Sequence, residues 1–134
     1  MNTLKLSLQY AHYDSYEADD QIIYSDQAIA AFDTFDWLNE AERSNQIQKV
    51  SLTLSLESQD GKLIWLSAVG GLENVYFVSE YSYIGTRKRL FGLVKYTGVL
   101  TVDTQNFNLE YARQAILLFA SGSHEALLRL YDSV

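Results

Sequence analysis

The chain has 134 residues and no cysteine, a length in the usual range for a single domain that buries its own core without a disulfide or metal staple. Disulfide scaffolds, thiolate zinc sites, iron–sulfur clusters and cysteine nucleophiles are therefore excluded by chemistry. The net charge is −7, and it sits in the first third: up to Glu42, nine acids stand against the single base Lys5, while the remainder holds eight acids and nine bases. Such a field repels phosphate backbones, which makes nucleic acid a poor direct partner, and attracts a basic surface.

Residues 3–10 alternate, with Leu4, Leu6, Leu8 and Tyr10 on one side and Lys5, Ser7 and Gln9 on the other, the pattern of a half-buried strand. The following segment, His12 to Asp20, has no period and is rich in Tyr and acid, which reads as an exposed loop. A short strand over 21–24 follows. Ser25 then suits the N-cap of a helix running to Glu42, with Asp26 favourably placed in its first turn. Ala28, Ala31, Phe32, Phe35 and Leu38 form the expected buried stripe. Asp33, Asp36 and Glu40 form a second stripe, expected to face solvent.

Three strands read clearly over 49–57, 63–69 and 74–80. Ser58-Gln59-Asp60-Gly61 supplies the first turn, because Asp-Gly readily takes the positive φ that a hairpin demands. Gly70-Gly71 breaks the second run. Residues 81–89 read as a loop holding Arg87-Lys88-Arg89, followed by a hairpin of 90–96 with 99–102 around Thr97-Gly98. Asn108 is expected to cap a helix over 109–120 that buries Leu109, Ala112, Ile116 and Phe119, and Ser121-Gly122-Ser123 stops it. The tail over 125–134 fits a short helix or an edge strand. The sum is one α+β domain spanning 1–134, an antiparallel sheet of five to six strands with two main helices on one face. The bare face is expected to be polar, with serines and threonines.

No phosphate loop, dinucleotide fingerprint, His-Glu-x-x-His helix or nucleophile elbow occurs. The two histidines, His12 and His124, lie far apart in sequence and read as surface residues. Asp14, Asp19 and Asp20 cluster, but without the spacing of a calcium loop. These readings give no catalytic residues, no metal and no cofactor. The N-terminus alternates instead of forming an unbroken apolar run, and no stretch is long enough to cross a bilayer. A cytoplasmic protein without membrane contact is the expectation.

The element order, an early acidic helix, a three-strand meander and then Gly98-Val99-Leu100-Thr101-Val102, resembles immunity proteins of bacterial polymorphic toxin and contact-dependent inhibition systems. The closing helix Asn108-Leu109-Glu110-Tyr111-Ala112-Arg113-Gln114-Ala115-Ile116-Leu117-Leu118-Phe119 and the segment Ser123-His124-Glu125-Ala126-Leu127 are similar to the C-terminal part of that group. The resemblance implies a non-enzymatic protein that stays in the producing cell's cytoplasm and neutralises a cognate toxin, a nuclease or deaminase domain. Interface residues do not transfer by similarity, so charge and exposure select them. Asp14, Glu17, Asp19, Asp20, Asp33, Asp36 and Glu40 are the expected steering charges, and Tyr13 and Tyr16 the anchors. Two other readings stand beside this one. The acids are equally consistent with a solvated face, and a pocket between sheet and helices would suit a small-ligand carrier or an enzyme.

Overall fold

Period-two alternation buries Leu4 and Leu6 on one side of the first strand and leaves Lys5 on the other. The computed structural model describes residues 2–10, 12–14, 18–47, 52–70, 75–89 and 94–134. Its strands are β1 (Thr3–Gln9), β2 (Asp19–Tyr24), β3 (Thr53–Ser58), β4 (Leu63–Gly70), β5 (Val75–Arg89) and β6 (Val94–Phe107). They form one antiparallel sheet in the order β2-β1-β3-β4-β5-β6. The helices are α1 (Ala28–Thr34), entered through a 3-10 turn at Ser25–Gln27, then α2 (Trp37–Ile47), α3 (Leu109–Ala120) and α4 (His124–Asp132). The architecture is α+β, as expected, but with four helices where two main ones were anticipated.

All four helices lie over the same side of the sheet. Phe32 and Trp37 pack on Phe77 of β5, Phe119 on Tyr81, and Tyr131 on Phe107 of β6. Below them Leu54, Leu56, Ile64 and Leu66 are fully buried. The core is thus one layer of strand side chains under one layer of helices.

The expected helix over 25–42 breaks in the middle without Pro or Gly. Phe35 takes extended dihedrals, Trp37 Nε1 donates to the Phe32 carbonyl across the break (3.0 Å), and Asp36 accepts from Asn39 N (3.5 Å) and Nδ2 (2.6 Å) at the start of α2. The break rotates the phase of everything after it. Leu38, expected in the buried stripe, is exposed, and Glu40, expected to face solvent, is 8% exposed.

The strand over 63–69 and the helix over 109–120 fall where the pattern put them. Asn108 caps α3 by accepting from Tyr111 N at 2.8 Å; Leu109 in its first turn is exposed rather than buried. Replacing that cap, Asn108→Ala, should cost about 1 kcal/mol in urea melts. A loss below a few tenths would mean water serves the same N–H equally well. The tail, open between helix and strand, is α4.

Gly61 holds φ +85° in the turn joining β3 and β4, where Gly61 N donates to Ser58 O and Ser58 N to Lys62 O, the closed loop that Asp-Gly signalled. Residues 81–89, read as a loop, instead continue β5, and Thr97-Gly98, read as a turn, lies within β6 opposite Thr86 and Gly85. Part of the expected 90–96 strand lies outside the described residues, as does the start of the 49–57 strand; residues 94–96 belong to β6.

Candidate functional site

The acids that sequence placed together separate in the fold. Asp19 and Asp20 are neighbours on β2, so their side chains leave opposite sides of the sheet. Asp19, opposite Leu8, is on the helix side and accepts from Tyr13 Oη at 2.7 Å. Asp20, opposite Ser7, is on the bare side, where Ser7 Oγ (2.5 Å) and Lys5 Nζ (3.7 Å) meet it. Asp14 lies in the loop between β1 and β2, partly buried. Tyr16 and Glu17 lie outside the described residues.

The remaining expected charges are in the helix layer. Asp33 of α1 receives two hydrogen bonds from Arg113 of α3, each 3.0 Å, and this guanidinium holds its carboxyl below the usual carboxylate range. Asp36 is occupied in starting α2. Glu40 is buried and accepts from Arg43 at 3.0 Å, which corrects its assignment to an exposed docking stripe. Trp37 and Tyr10, interleaved with these acids in sequence, pack inward: Trp37 is buried and Tyr10 stacks on Phe35. Among the described residues, the expected steering acids therefore do not share one surface.

A different surface is assembled by the sheet register. No described helix covers the side away from the core, and one row of residues crosses all six strands there: Asp20, Ser7, Ser55, Trp65, Glu80 and Asp103. Glu80 and Asp103 sit directly opposite each other, a cross-strand pair of like charges that is unfavourable unless something compensates it. The adjacent row adds Lys5, Glu57, Leu63, Ser82 and Thr101. The expected serines and threonines are here, but the face also exposes large apolar side chains: Ile22 is 68%, Ile84 63% and Val99 64% exposed, and Val69 and Tyr76 are exposed toward the other end of β4 and β5. Among the described residues of the expected set, only Asp20 is placed on this face. Finding the rest from sequence requires the pairing register, which charge counting does not contain.

The helix side carries a second feature, a cavity of about 250 Å³ at the end of the sheet, where the β3–β4 turn meets the α3–α4 junction. Leu4, Leu118, Phe119 and Leu127 supply its apolar lining; Ser58, Asp60, Lys62, Tyr81, Ser123 and His124 supply polar groups. Asp60 accepts from Ser58 Oγ and pairs with Lys62 at 3.5 Å, and these contacts lower its pKa. Tyr81 Oη lies 2.7 Å from His124 Nδ1. Burial, helped by the nearby Asp60 charge and Tyr83, pushes the Tyr81 phenol up to about 12, so it stays protonated. The two atoms share one hydrogen bond, in which Tyr81 Oη donates when the imidazole proton sits on Nε2 and accepts when it sits on Nδ1. His124, read from sequence as a surface residue, is thus half-buried against Tyr81 and Tyr83.

Among the described residues no group of three or more His, Asp or Glu is placed to hold a metal ion, and no helix is long and apolar enough to cross a membrane. No protein-family model matches the chain, and no curated protein or solved structure is significantly similar to it.

Proposed function

We propose that the chain is a non-catalytic binding protein of the immunity type, acting in the cytoplasm to neutralise a basic, nucleic-acid-acting toxin domain, and that it docks through the bare side of its sheet. The observation that carries this reading is the row from Asp20 to Asp103, with Trp65 between two acidic ends and with Ile22, Ile84 and Val99 exposed elsewhere on the same side. An aromatic centre with a charged surround is the usual composition of a protein-binding patch. Around the Trp65 row the charges on this face are Asp20, Glu57, Glu80 and Asp103 against Lys5, while the Lys88–Lys95 pair occupies the same side at the far end of β5 and β6, so it is the Trp65 end that complements a cationic partner. A basic side chain placed between Glu80 and Asp103 would relieve their mutual repulsion.

The test is co-expression with the protein encoded beside this one. We expect co-purification, rescue of growth from that protein's toxicity, and affinity that falls as salt rises. Reversing Glu80 and Asp103 together to Lys should weaken the complex by roughly tenfold to a hundredfold without unfolding the domain, because both side chains reach solvent. Reversing Asp33 and Asp36 in the helix layer should leave affinity nearly unchanged. A neighbour that neither binds nor is neutralised removes the immunity reading; binding lost only on the helix-layer reversal moves the interface to the other side of the molecule.

A further inference from the structure

We propose that the cavity between the β3–β4 turn and the α3–α4 junction binds a small amphipathic carboxylate, apolar body inward and acid group toward Lys62 and His124. This site is separate from the docking face, since its wall residues Leu4, Tyr81 and Leu127 belong to the core side of the sheet. At about 250 Å³ it falls just below the volumes typical of drug-sized ligands, which limits the occupant to a single ring or a short branched chain.

The polarity of the ligand follows from which groups are already engaged. Asp60, the acid lining the cavity, is held by Ser58 and Lys62 and is 63% exposed, so its carboxylate is turned largely to those partners and to solvent, whereas Lys62 is 33% exposed. The donors are in a different position. The Lys62 ammonium has three N–H bonds, of which the Asp60 contact uses one. The His124 ring is engaged by Tyr81 at Nδ1, so Nε2 is the ring nitrogen left for a ligand, and it donates when Tyr81 is the donor to Nδ1. Ser123 gives α4 no side-chain cap, because its hydroxyl bonds Ser121 instead, so the positive end of that helix adds to the same wall. Lys62 is the cation on a wall whose Asn2, Thr3, Ser58 and Gln59 are neutral, above the apolar surface of Leu118, Phe119 and Leu127, and this suits an acceptor head on an apolar body.

Three ring compounds of nearly equal size separate the charge classes: benzoate, benzyl alcohol and benzamidine, titrated into the full chain by calorimetry and thermal shift. Benzoate should stabilise the protein saturably, by mass action on the native state, and the other two should not. Lys62→Gln, a change at a side chain one-third exposed, should weaken benzoate roughly tenfold, the usual loss for a hydrogen bond to a charged group. Arg129→Gln removes a positive charge from α4 outside the cavity lining and should leave the affinity unaltered. The proposal is overturned if benzamidine or benzyl alcohol stabilises as strongly as benzoate, if no compound has an effect, or if Lys62→Gln binds benzoate as well as the parent chain. Because none of these readouts involves the toxin partner, their failure would leave the docking reading standing.

Discussion

Phe77→Ala should lower the unfolding free energy by about 3–5 kcal/mol, a large share of the roughly 5–15 kcal/mol that a domain of this size possesses. Phe77 is fully buried at the point where the helix layer meets the sheet. Trp37 stands edge-on to it at 5.0 Å between ring centroids, Phe32 packs at 6.1 Å, and Phe107 is its partner across the β5–β6 pair. Truncation removes apolar burial and leaves a void that three rigid rings cannot fill without leaving their rotamers. The same truncation at Ile84, 63% exposed on the bare face, should change stability by less than about 0.5 kcal/mol. Urea melts of both variants decide the matter: the midpoint should drop sharply for Phe77→Ala with the slope unchanged. A loss under 1 kcal/mol would mean that α1 and α2 are not seated on β5.

What could be read in the sequence was whatever its neighbours in the chain determine. β1 and β4 follow from alternation, α3 from the Asn108 cap and its apolar spacing, and the Gly61 turn from the Asp-Gly pair; each is a local rule acting over a few residues. The errors have non-local causes. The stripe Ala28, Ala31, Phe32, Phe35, Leu38 is continuous on a helical wheel, yet the chain leaves the helix at Phe35 so that Trp37 can reach both the Phe32 carbonyl and Phe77. Tyr81 to Arg89 lacks a clean apolar rhythm because Tyr81 and Tyr83 serve as its inward residues and Gly85 takes the next inward place. A Cβ at Gly85 would come within 2.8 Å of Leu100 Cδ1, so this glycine is set by cross-strand packing and not by a turn.

The bare side of the sheet and the cavity were illegible for the same reason. Asp19 and Asp20 add equally to a count of charge along the chain, but pleating sends them to opposite sides. Glu80 and Asp103 are 23 positions apart and meet only through the β5–β6 register, while Tyr81 and His124 meet across 43 positions through the packing of α4. Composition foretold an acidic molecule correctly; it could not say which acids share a surface.

At alkaline pH the fold should fail through two tyrosines. Tyr131 is buried and its hydroxyl lies 2.6 Å from Ser79 Oγ. Ser79 spends its own proton on the Trp65 carbonyl at 2.8 Å, so Tyr131 must be the donor in this chain. Ionisation would remove that donation and leave an anion in the core near Glu80 and Asp103. Burial, reinforced by those charges and by Tyr81, raises the Tyr131 pKa well above the ordinary phenol value despite the Ser79 bond, and burial pushes Tyr81 up to about 12. Both groups therefore keep their protons in the folded state above the ordinary value of about 10 at which the unfolded chain releases them. Their contribution is fully present below about pH 10 and declines as pH rises toward the folded values, between about 10 and 12 for Tyr81. Tyrosinate absorbance should show exposed tyrosines ionising near the ordinary value and a later phase that coincides with loss of near-ultraviolet circular dichroism. Tyr131→Phe sharpens the test. At neutral pH the variant should be less stable by about 0.5–1.5 kcal/mol, since Ser79 still bonds Trp65, yet its stability should fall less steeply with alkali because one of the two late protons is gone. If every tyrosine ionised together near pH 10 with the dichroism intact, or if the variant lost stability as steeply as the parent, neither hydroxyl would be sealed in the core in the way the Tyr131–Ser79–Trp65 chain requires.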